Sequence, residues 1–218
     1  MGIIDKQGIL ERIPTMKFVA IELGCGSQKK IPHAIGIDRT DYDSADIVCD
    51  LEEGLSFLPD NSIDVIYSFH FLEHMPDLGF FLSEIFRVLK PGGKNIGTVP
   101  HFSNPYYSSD YTHKTPFGLY TFCYFAQVTP YHRKVLKYLD GINFKITKQK
   151  IIFYSPFKFI NLFRKIYGLV FNSFIFMQEY YEGSVSSILP AYEISFELQK
   201  DQIEIIQNSE GRMQNSGG

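Results

Sequence analysis

This sequence contains little cysteine, and the cysteines that it has follow no motif. Three of its 218 residues are cysteine, Cys25, Cys49 and Cys123. An odd number at wide spacing excludes a disulfide framework and a CxxC metal site, and it favours a reducing compartment. The first residues lack the basic start, apolar core and small-residue cleavage site of a signal peptide. We therefore expect a cytoplasmic location.

The chain also lacks an excess of positive charge, and its aromatic segment at 157–177 is interrupted by charges. The longest charge-free stretch in that region runs from Ile166 to Gln178, which is shorter than the roughly 20 residues of a membrane-spanning helix. A net charge of −3 argues against bulk binding of nucleic acid. Between Tyr111 and Gln178, however, the only acid is Asp140 among ten lysines and arginines, and this region could face an anionic partner.

The most informative segment that is present runs from Val19 to Gly26, where an apolar strand meets a glycine turn. Gly24 and Gly26 leave room for a ligand to lie against the backbone at the carboxyl edge of a parallel sheet. A second apolar run follows and ends in Asp38, which would accept hydrogen bonds from ribose hydroxyls. The pattern is typical of a nucleotide-type site in an α/β protein.

Strand and helix patterns alternate downstream of this turn. Short apolar runs predict strands at 46–50, 62–68 and 95–99, and apolar residues at helical spacing predict a helix from Asp77 to Lys90. Asp77 would cap the start of that helix, and Pro91-Gly92-Gly93 would end it. The order strand, helix, strand implies a right-handed parallel crossover. Two more strands are predicted at 144–154 and 193–198.

Two segments depart from this alternation. Residues 100–130 are dense in Tyr, Phe, Ser, Pro and His without periodicity, which favours a lid on the acceptor side of a site. Residues 157–177, called the aromatic stripe below, carry aromatic and aliphatic side chains at helical spacing. The stripe could pack on the domain, form a homodimer interface or lie on an anionic membrane surface at the inner face of the membrane.

The ordered motifs together resemble those of class I S-adenosylmethionine-dependent methyltransferases of the type 11 kind. The matching motifs are Ile21-Glu22-Leu23-Gly24-Cys25-Gly26, Asp38, Asp50-Leu51, Asp64-Val65-Ile66-Tyr67-Ser68 with Leu72-Glu73-His74, and Arg87-Val88-Leu89-Lys90-Pro91-Gly92-Gly93. The resemblance implies a Rossmann-like, seven-stranded, mostly parallel sheet with helices on both faces and an antiparallel last strand. It also implies S-adenosyl-L-methionine as the methyl donor.

Carried over by position, the resemblance assigns ten residues to the cofactor. Glu22, Gly24, Cys25 and Gly26 would lie beside its methionine part, Asp38 at the ribose, Asp50 and Leu51 at the adenine, and Ser68, Phe69 and His70 near the sulfonium. Gln28 replaces the usual third glycine, and few residues separate the turn from the next strand. The first crossover helix should therefore be abbreviated or absent, which also counts against an NAD-binding unit.

Methyl transfer needs an aligned nucleophile and, for a hydroxyl acceptor, a base. The candidates for catalysis are His70, His101, Asp110 and His113, whereas His74 is expected to be a packed, hydrogen-bonded side chain. A metal site built from His101, Asp110, His113 and His132 is conceivable, but these residues lack a recognisable ligand spacing. We predict no metal.

The segment from Tyr107 to Phe117 also resembles methyltransferases of bacterial polysaccharide, lipopolysaccharide and capsule synthesis. The expected function is therefore O-methylation of a sugar, glycan or phosphorylated precursor. The alternatives are methylation of another small metabolite and a non-catalytic ligand- or partner-binding protein of the same fold; no Asn-Pro-Pro-Tyr-type motif suggests nucleic acid. We expect one domain at 1–207, with a cofactor core at 18–100, an acceptor lid at 101–130 and a helical insertion at 156–180, then a disordered tail at 208–218.

Overall fold

A computed structural model of the protein describes residues 2–139 and 141–201. Its strands, in chain order, are β1 Ile4–Asp5, β2 Ala20–Leu23, β3 Ile35–Asp38, β4 Ile47–Val48, β5 Ile63–Phe69, β6 Leu89–Pro100, β7 Ala126–Val128, β8 Phe144–Ile152 and β9 Glu193–Lys200. Its α-helices are α1 Ile9–Arg12, α2 Leu78–Val88, α3 Lys158–Phe171 and α4 Ile175–Tyr180. The predicted tail at 208–218 and the predicted domain end at 207 lie outside the described residues.

The described strands form one sheet of nine, in the order β1-β4-β3-β2-β5-β6-β9-β8-β7. Strands β4, β3, β2, β5 and β6 are parallel neighbours, and β9 runs antiparallel to both β6 and β8. The predicted Rossmann-like, mostly parallel sheet with an antiparallel last strand is confirmed. The count differs from the expected seven because short strands β1 and β7 extend the two edges.

The crossovers between strands differ in how much helix they contain. No helix lies between β2 and β3, which confirms the abbreviated first crossover. Helix α2 joins β5 to β6, and its first turn is capped by Asp77, whose carboxylate accepts the Phe80 N–H at 2.9 Å. Six apolar residues of α2 are buried, whereas Phe80 is exposed, and all four residues of β2 are buried as well. Both faces of the sheet are therefore covered at its centre.

A buried ammonium group joins the last strand to the end of α2. The Lys200 side chain donates to the carbonyls of Phe86 at 2.6 Å and Leu89 at 2.8 Å, and to the Asn61 amide oxygen at 2.8 Å. These carbonyls lie at the negative end of the helix dipole, where they need donors. Removal from water lowers the pKa of Lys200.

The aromatic stripe forms α3 and α4, as the predicted helical insertion requires. Phe171 is the only buried residue of α3, and Tyr167 is partly covered, with its ring 6.2 Å from that of Phe153. Phe159 is 76% exposed and Leu169 is 75% exposed, so most of the stripe does not pack on the domain. No helix in the described part of the chain is long and apolar enough to cross a membrane.

Candidate functional site

The strand order creates a crevice where the carboxyl ends of the central strands meet. The chain runs outward from β2 to β3 and β4, then returns to β5 on the other side of β2. Such a reversal point is where open α/β sheets bind ligands, because the loops on either side diverge. The residues at the carboxyl ends of β2, β3 and β5 therefore share one site. They include Gly24, Asp38 and His70.

The glycine turn after β2 has the backbone conformation that its sequence suggested. Gly24 has a φ of +62° and Gly26 a φ of +59°, in the left-handed region that favours glycine. A Cβ on Gly24 would lie 2.6 Å from the Phe71 ring carbon Cδ2, so the turn also has no room for a side chain there. The Gly24 N–H donates to the Ile37 carbonyl at 2.9 Å, which holds the turn against β3.

Asp38 fixes the same turn from the end of β3. One of its carboxylate oxygens accepts the Gly26 N–H at 2.8 Å and the other accepts the Thr40 N–H at 2.9 Å. The side chain is buried, yet it reaches the crevice. A carboxylate can accept about four hydrogen bonds. Asp38 therefore keeps acceptor capacity for a ligand hydroxyl after both of these contacts.

Glu22 lies beneath the loop that replaces the first crossover helix. Its carboxylate is buried and accepts the N–H groups of Lys30 at 3.0 Å and Ile31 at 2.8 Å. In a helical crossover these N–H groups would have had backbone partners, so here a side chain supplies the acceptors. The structure assigns Glu22 to holding this loop, and it does not line the crevice.

A cavity of about 470 Å³ occupies the crevice. Five of the predicted cofactor residues line it, together with eight residues that were not predicted for the cofactor. The first group is Gly24, Asp38, Asp50, Leu51 and His70, and the second is Arg39, Glu52, Phe71, His74, Met75, Tyr111, Thr112 and Lys114. The lining combines carboxylates, cations and aromatic rings, which suits a polar ligand with an aromatic base.

The other predicted cofactor residues do not line this cavity. Ser68 is fully buried and donates its hydroxyl to the Asn95 amide oxygen at 3.2 Å. Cys25 is buried, and removal from water together with the charge of Asp38 raises the pKa of its thiol to about 11. Phe69 packs beneath the Lys30 ammonium, 4.7 Å from its ring centre. Gly26 also does not line the cavity, and its N–H donates to the Asp38 carboxylate that does.

His70 is held between two carboxylates at the mouth of β5. Its Nε2 donates to Glu193 at 2.7 Å, and its Nδ1 lies 3.4 Å from Glu73 Oε1, an ion-pair distance. The carboxylates of Glu193 and Glu73 raise the pKa of His70 to about 9. His70 also has a φ of +53°, which is uncommon outside glycine and is found at functional sites. This ring is protonated at neutral pH and cannot then accept a proton.

A second group of side chains meets beside the cavity. Glu73, His74 and His113 each present a ligand atom, and these three atoms lie within 4.8 Å of one another. Backbone hydrogen bonds from Lys114 at 2.7 Å and Thr115 at 3.1 Å to the Glu73 carbonyl bring the loop that carries His113 to this position. His74 was expected to be a packed, hydrogen-bonded side chain; it does contact the Thr112 hydroxyl at 3.0 Å, and it also lines the cavity. In the sequence, the signal for this group was the adjacent pair Glu73-His74 shortly after β5.

The remaining predicted catalytic residues lie apart from the cavity or at its rim. His101 is fully buried, with Nδ1 2.7 Å from the Ser103 hydroxyl and Nε2 3.3 Å from a Glu182 oxygen. Asp110 is exposed and accepts from the Thr112 hydroxyl at 2.6 Å and the Thr112 N–H at 2.9 Å. These two bonds lower the pKa of Asp110. The hypothetical metal group is not assembled, because His132 instead contacts Glu179 at 2.6 Å.

Comparison with known proteins supports the same fold. Residues 27–96, about a third of the chain, match a family model described as a methyltransferase domain. A segment of 44 residues is 48% identical to a probable S-adenosylmethionine-dependent methyltransferase of Mycolicibacterium smegmatis. This match covers 20% of the chain and 17% of that relative, so the chain spans less than a fifth of the relative's length.

Two solved structures share the architecture over most of their length. A methyltransferase of Archaeoglobus fulgidus that depends on S-adenosylmethionine superposes with a TM-score of 0.56 and 20% identity, covering 88% of this chain and 92% of that one. The [4+2]-cyclase SpnF superposes with a TM-score of 0.50 and 15% identity, over 88% and 80% of the two chains. The chain therefore has the Rossmann-like methyltransferase fold, on which more than one reaction is found.

Proposed function

We propose that this chain is an S-adenosyl-L-methionine-dependent methyltransferase. The observation that carries the proposal is the juxtaposition of Gly24 and Asp38 at the reversal point of the sheet, both lining a cavity that also includes Asp50 and Leu51. The glycine turn accommodates a ligand backbone, Asp38 offers acceptors for ribose hydroxyls, and Leu51 offers an apolar surface for adenine. The family match over 27–96 and the matching relative both concern methyltransferases.

Calorimetry with the methyl donor or its demethylated product tests this directly. Wild type should bind the donor, and Asp38→Ala should bind it at least about tenfold more weakly, because the ribose would lose acceptors worth about 1.4 kcal/mol or more. Asp43→Ala removes an exposed carboxylate from the following loop and should bind as wild type does. Failure of wild type to bind either compound would refute the proposal.

We propose that the methyl acceptor is a sugar, glycan or phosphorylated precursor that reacts through a hydroxyl. Tyr111, Thr112 and Lys114 of the predicted lid reach the cavity, where Arg39 adds a second cation. Tyr111 is 92% exposed, so its ring does not pack in the core and is accessible to a ligand. Aromatic faces bind sugars, and the two cations suit a phosphate. Methylation of another small metabolite is the alternative within this class.

A phosphate contact predicts a specific kinetic effect at Lys114. With a phosphorylated acceptor, Lys114→Ala should raise KM about tenfold while kcat stays close to that of wild type, because the lost contact is present in ground state and transition state alike. Lys134→Ala, at an exposed position that does not line the cavity, is the matched control. Equal KM changes for phosphorylated and unphosphorylated acceptors would favour an acceptor without phosphate.

Removal of the acceptor proton belongs to the group around His74 rather than to His70. His70 is already protonated at neutral pH, so we assign it to orienting and charging the cavity wall. His101 is closed off from the cavity, and Asp110 acts through Thr112. His113 stands beside His74, with ring centres 5.0 Å apart. An imidazole that lines the cavity, as His74 does, can accept a proton from a hydroxyl.

A non-catalytic role for the same fold, or a different reaction, is the second candidate. The similarity of the fold to a cyclase structure supports this second candidate. It predicts donor binding without methyl transfer to any of a broad panel of sugars, phosphorylated sugars and small metabolites. Transfer of a labelled methyl group to one panel member would exclude a purely binding role.

We also propose a cytoplasmic location, with the aromatic stripe in contact with an anionic membrane surface. Phe159, Leu162 and Leu169 are more than 60% exposed, and Lys158 and Lys165 stand beside them. No acidic residue occurs between 157 and 177. Exposed apolar side chains flanked by cations are suited to the boundary between headgroups and acyl chains.

Vesicle sedimentation separates this surface from a subunit interface. Vesicles with anionic phospholipid should retain wild type, zwitterionic vesicles should retain much less, and Phe159→Ser with Leu162→Ser should abolish retention. Leu136→Ser, at a residue that is 71% exposed outside the stripe, is the control. If light scattering shows a dimer that the double variant abolishes while vesicles do not bind, the stripe is a homodimer interface instead.

A further inference from the structure

In the group formed by Glu73, His74 and His113, the carboxylate of Glu73 is buried without hydrogen-bond donors from the described part of the chain. Glu73 is fully buried, and neither carboxylate oxygen accepts a hydrogen bond from the described residues. One oxygen has the His70 ring at ion-pair distance and the other has no partner among the described residues, so this buried carboxylate can accept a further cation or donor beside His70. His70 Nδ1, at 3.4 Å, approaches one oxygen without the geometry of a hydrogen bond.

The hydrogen bonds of His113 fix where its lone pair points. Its Nδ1 lies 3.0 Å from the Tyr107 carbonyl oxygen, which can only accept, so Nδ1 carries the proton. In the neutral ring Nε2 therefore carries the lone pair, and this nitrogen also lies 3.6 Å from an Asp110 carboxylate oxygen, which a metal ion bound at Nε2 would neutralise. Ligating histidines typically donate their other N–H to a carbonyl or carboxylate in this way, because the contact fixes the tautomer and orients the ring.

The same argument applies to His74 through a longer chain. The Thr112 hydroxyl donates its single hydrogen to Asp110 at 2.6 Å. Its oxygen lies 3.0 Å from His74 Nδ1 and must accept there, so His74 Nδ1 carries the proton and Nε2 the lone pair. Asp110, Thr112 and His74 are thus joined by hydrogen bonds that place the proton of a neutral His74 ring on Nδ1 and leave Nε2 for a ligand.

We propose that Glu73, His74 and His113 bind a divalent transition-metal ion. Two imidazole nitrogens and one carboxylate are the protein ligands of many catalytic zinc sites and of iron sites with open positions, whereas Mg²⁺ prefers oxygen alone. Metal–ligand bonds of about 2.0–2.2 Å place tetrahedral ligand atoms about 3.5 Å apart. The ligand atoms, now within 4.8 Å, therefore draw together by about 1 Å when the metal binds.

The metal has a defined role at the cavity, which rests on the methyl transfer proposed above. Of the three ligands only His74 lines the cavity in the described structure, so a metal bound here would lie at the cavity wall, within reach of an acceptor hydroxyl. With their lone pairs on the metal, His74 and His113 would not act as bases, and a hydroxyl oxygen bound to the metal would instead lose its proton to solvent more readily. The resulting alkoxide attacks the methyl carbon, a C–O bond forms, and the C–S bond breaks with its electron pair returning to sulfur.

Metal binding is testable without cofactor or acceptor. Untagged, chelator-treated full-length protein is titrated with Co²⁺, whose visible absorption reports nitrogen and oxygen ligation, and Zn²⁺ and Mg²⁺ are added as competitors. Wild type should bind one equivalent, which Zn²⁺ displaces and equimolar Mg²⁺ does not. Glu73→Gln and His113→Ala should bind more than about tenfold more weakly. His33→Ala, an exposed histidine outside the group, should bind as wild type does.

A thermal measurement keeps the test decisive if Glu73→Gln does not fold. Ligand that binds the folded state raises the unfolding midpoint, so Zn²⁺ should stabilise wild type and His33→Ala but not His113→Ala, whose ring lies on a loop. Absence of Co²⁺ binding by wild type, or undiminished binding by His113→Ala, would overturn the metal site. Because no donor is present, this result leaves the proposed function untouched, and failure of donor binding leaves the metal site untouched.

Discussion

Glu22→Gln tests whether a buried carboxylate replaces the missing crossover helix. Glutamine keeps one acceptor oxygen but turns its NH₂ toward the second N–H, so one of the bonds to Lys30 and Ile31 is lost. A hydrogen bond to a charged group contributes about 1.5–3 kcal/mol, and the stranded N–H is buried. We expect the free energy of unfolding to fall by about 2–3 kcal/mol. For a chain of this size the midpoint should then fall by about 4–12 °C.

Urea unfolding followed by circular dichroism measures the stability, and calorimetry measures donor affinity in the same variant. Glu11→Gln makes the same chemical change at an exposed position of α1 and should stay within about 0.5 kcal/mol of wild type. Glu22→Gln should also weaken donor binding about tenfold, because the loop after the glycine turn moves. A variant with normal stability and weak donor binding would refute the reasoning and would instead place Glu22 against the cofactor.

Three further changes test other parts of the structure. Gly24→Ala should lower the free energy of unfolding by about 2 kcal/mol or more, through both backbone strain and the clash with the neighbouring phenylalanine ring, whereas Gly8→Ala, at φ +61° in open space, should cost about 1 kcal/mol. Lys200→Met should cost about 2 kcal/mol in urea unfolding, because the carbonyls at the end of α2 lose their donor. Hydrogen bonds from Arg87 lower the pKa of Glu84 below its ordinary value of 4.5, so this carboxylate stabilises the fold above pH 4.5 and less as pH falls through the lowered pKa. The stability difference between wild type and Glu84→Gln should therefore shrink in acid.

Local patterns predicted the central fold because neighbouring residues specify it. The helix expected between Asp77 and Lys90 is α2, since its apolar spacing and its cap act within a few residues. Strands β1 and β7 were not predicted, because two or three residues carry no periodicity. The aromatic stripe was predicted to be helical, but whether a helix face is covered depends on elements distant in the chain. Helical spacing alone could not distinguish an exposed face from a buried one.

In the site, too, the residues set by local sequence could be predicted and those brought in by distant contacts could not. Gly24 and Asp38 could be placed because Gly24 directly follows a strand and Asp38 ends one, and parallel strands end at one edge. The group around Glu73 could not be placed in full, since His113 follows about 40 residues later and reaches it through backbone bonds to the Glu73 carbonyl. His70 was identified as a candidate base from its residue type. Its protonation depends on Glu193, which only the antiparallel pairing of β9 with β6 brings near.

The exposure of α3 has a consequence for cooperativity. A helix of 14 residues is marginal in water without tertiary packing, and α3 buries only Phe171. Its amide hydrogens should exchange with solvent far sooner than those of α2, through local opening that leaves the sheet intact. Any surface that covers the helix would supply the burial that the domain does not. Order in α3 would then be thermodynamically linked to docking, and protection from exchange would report when docking occurs.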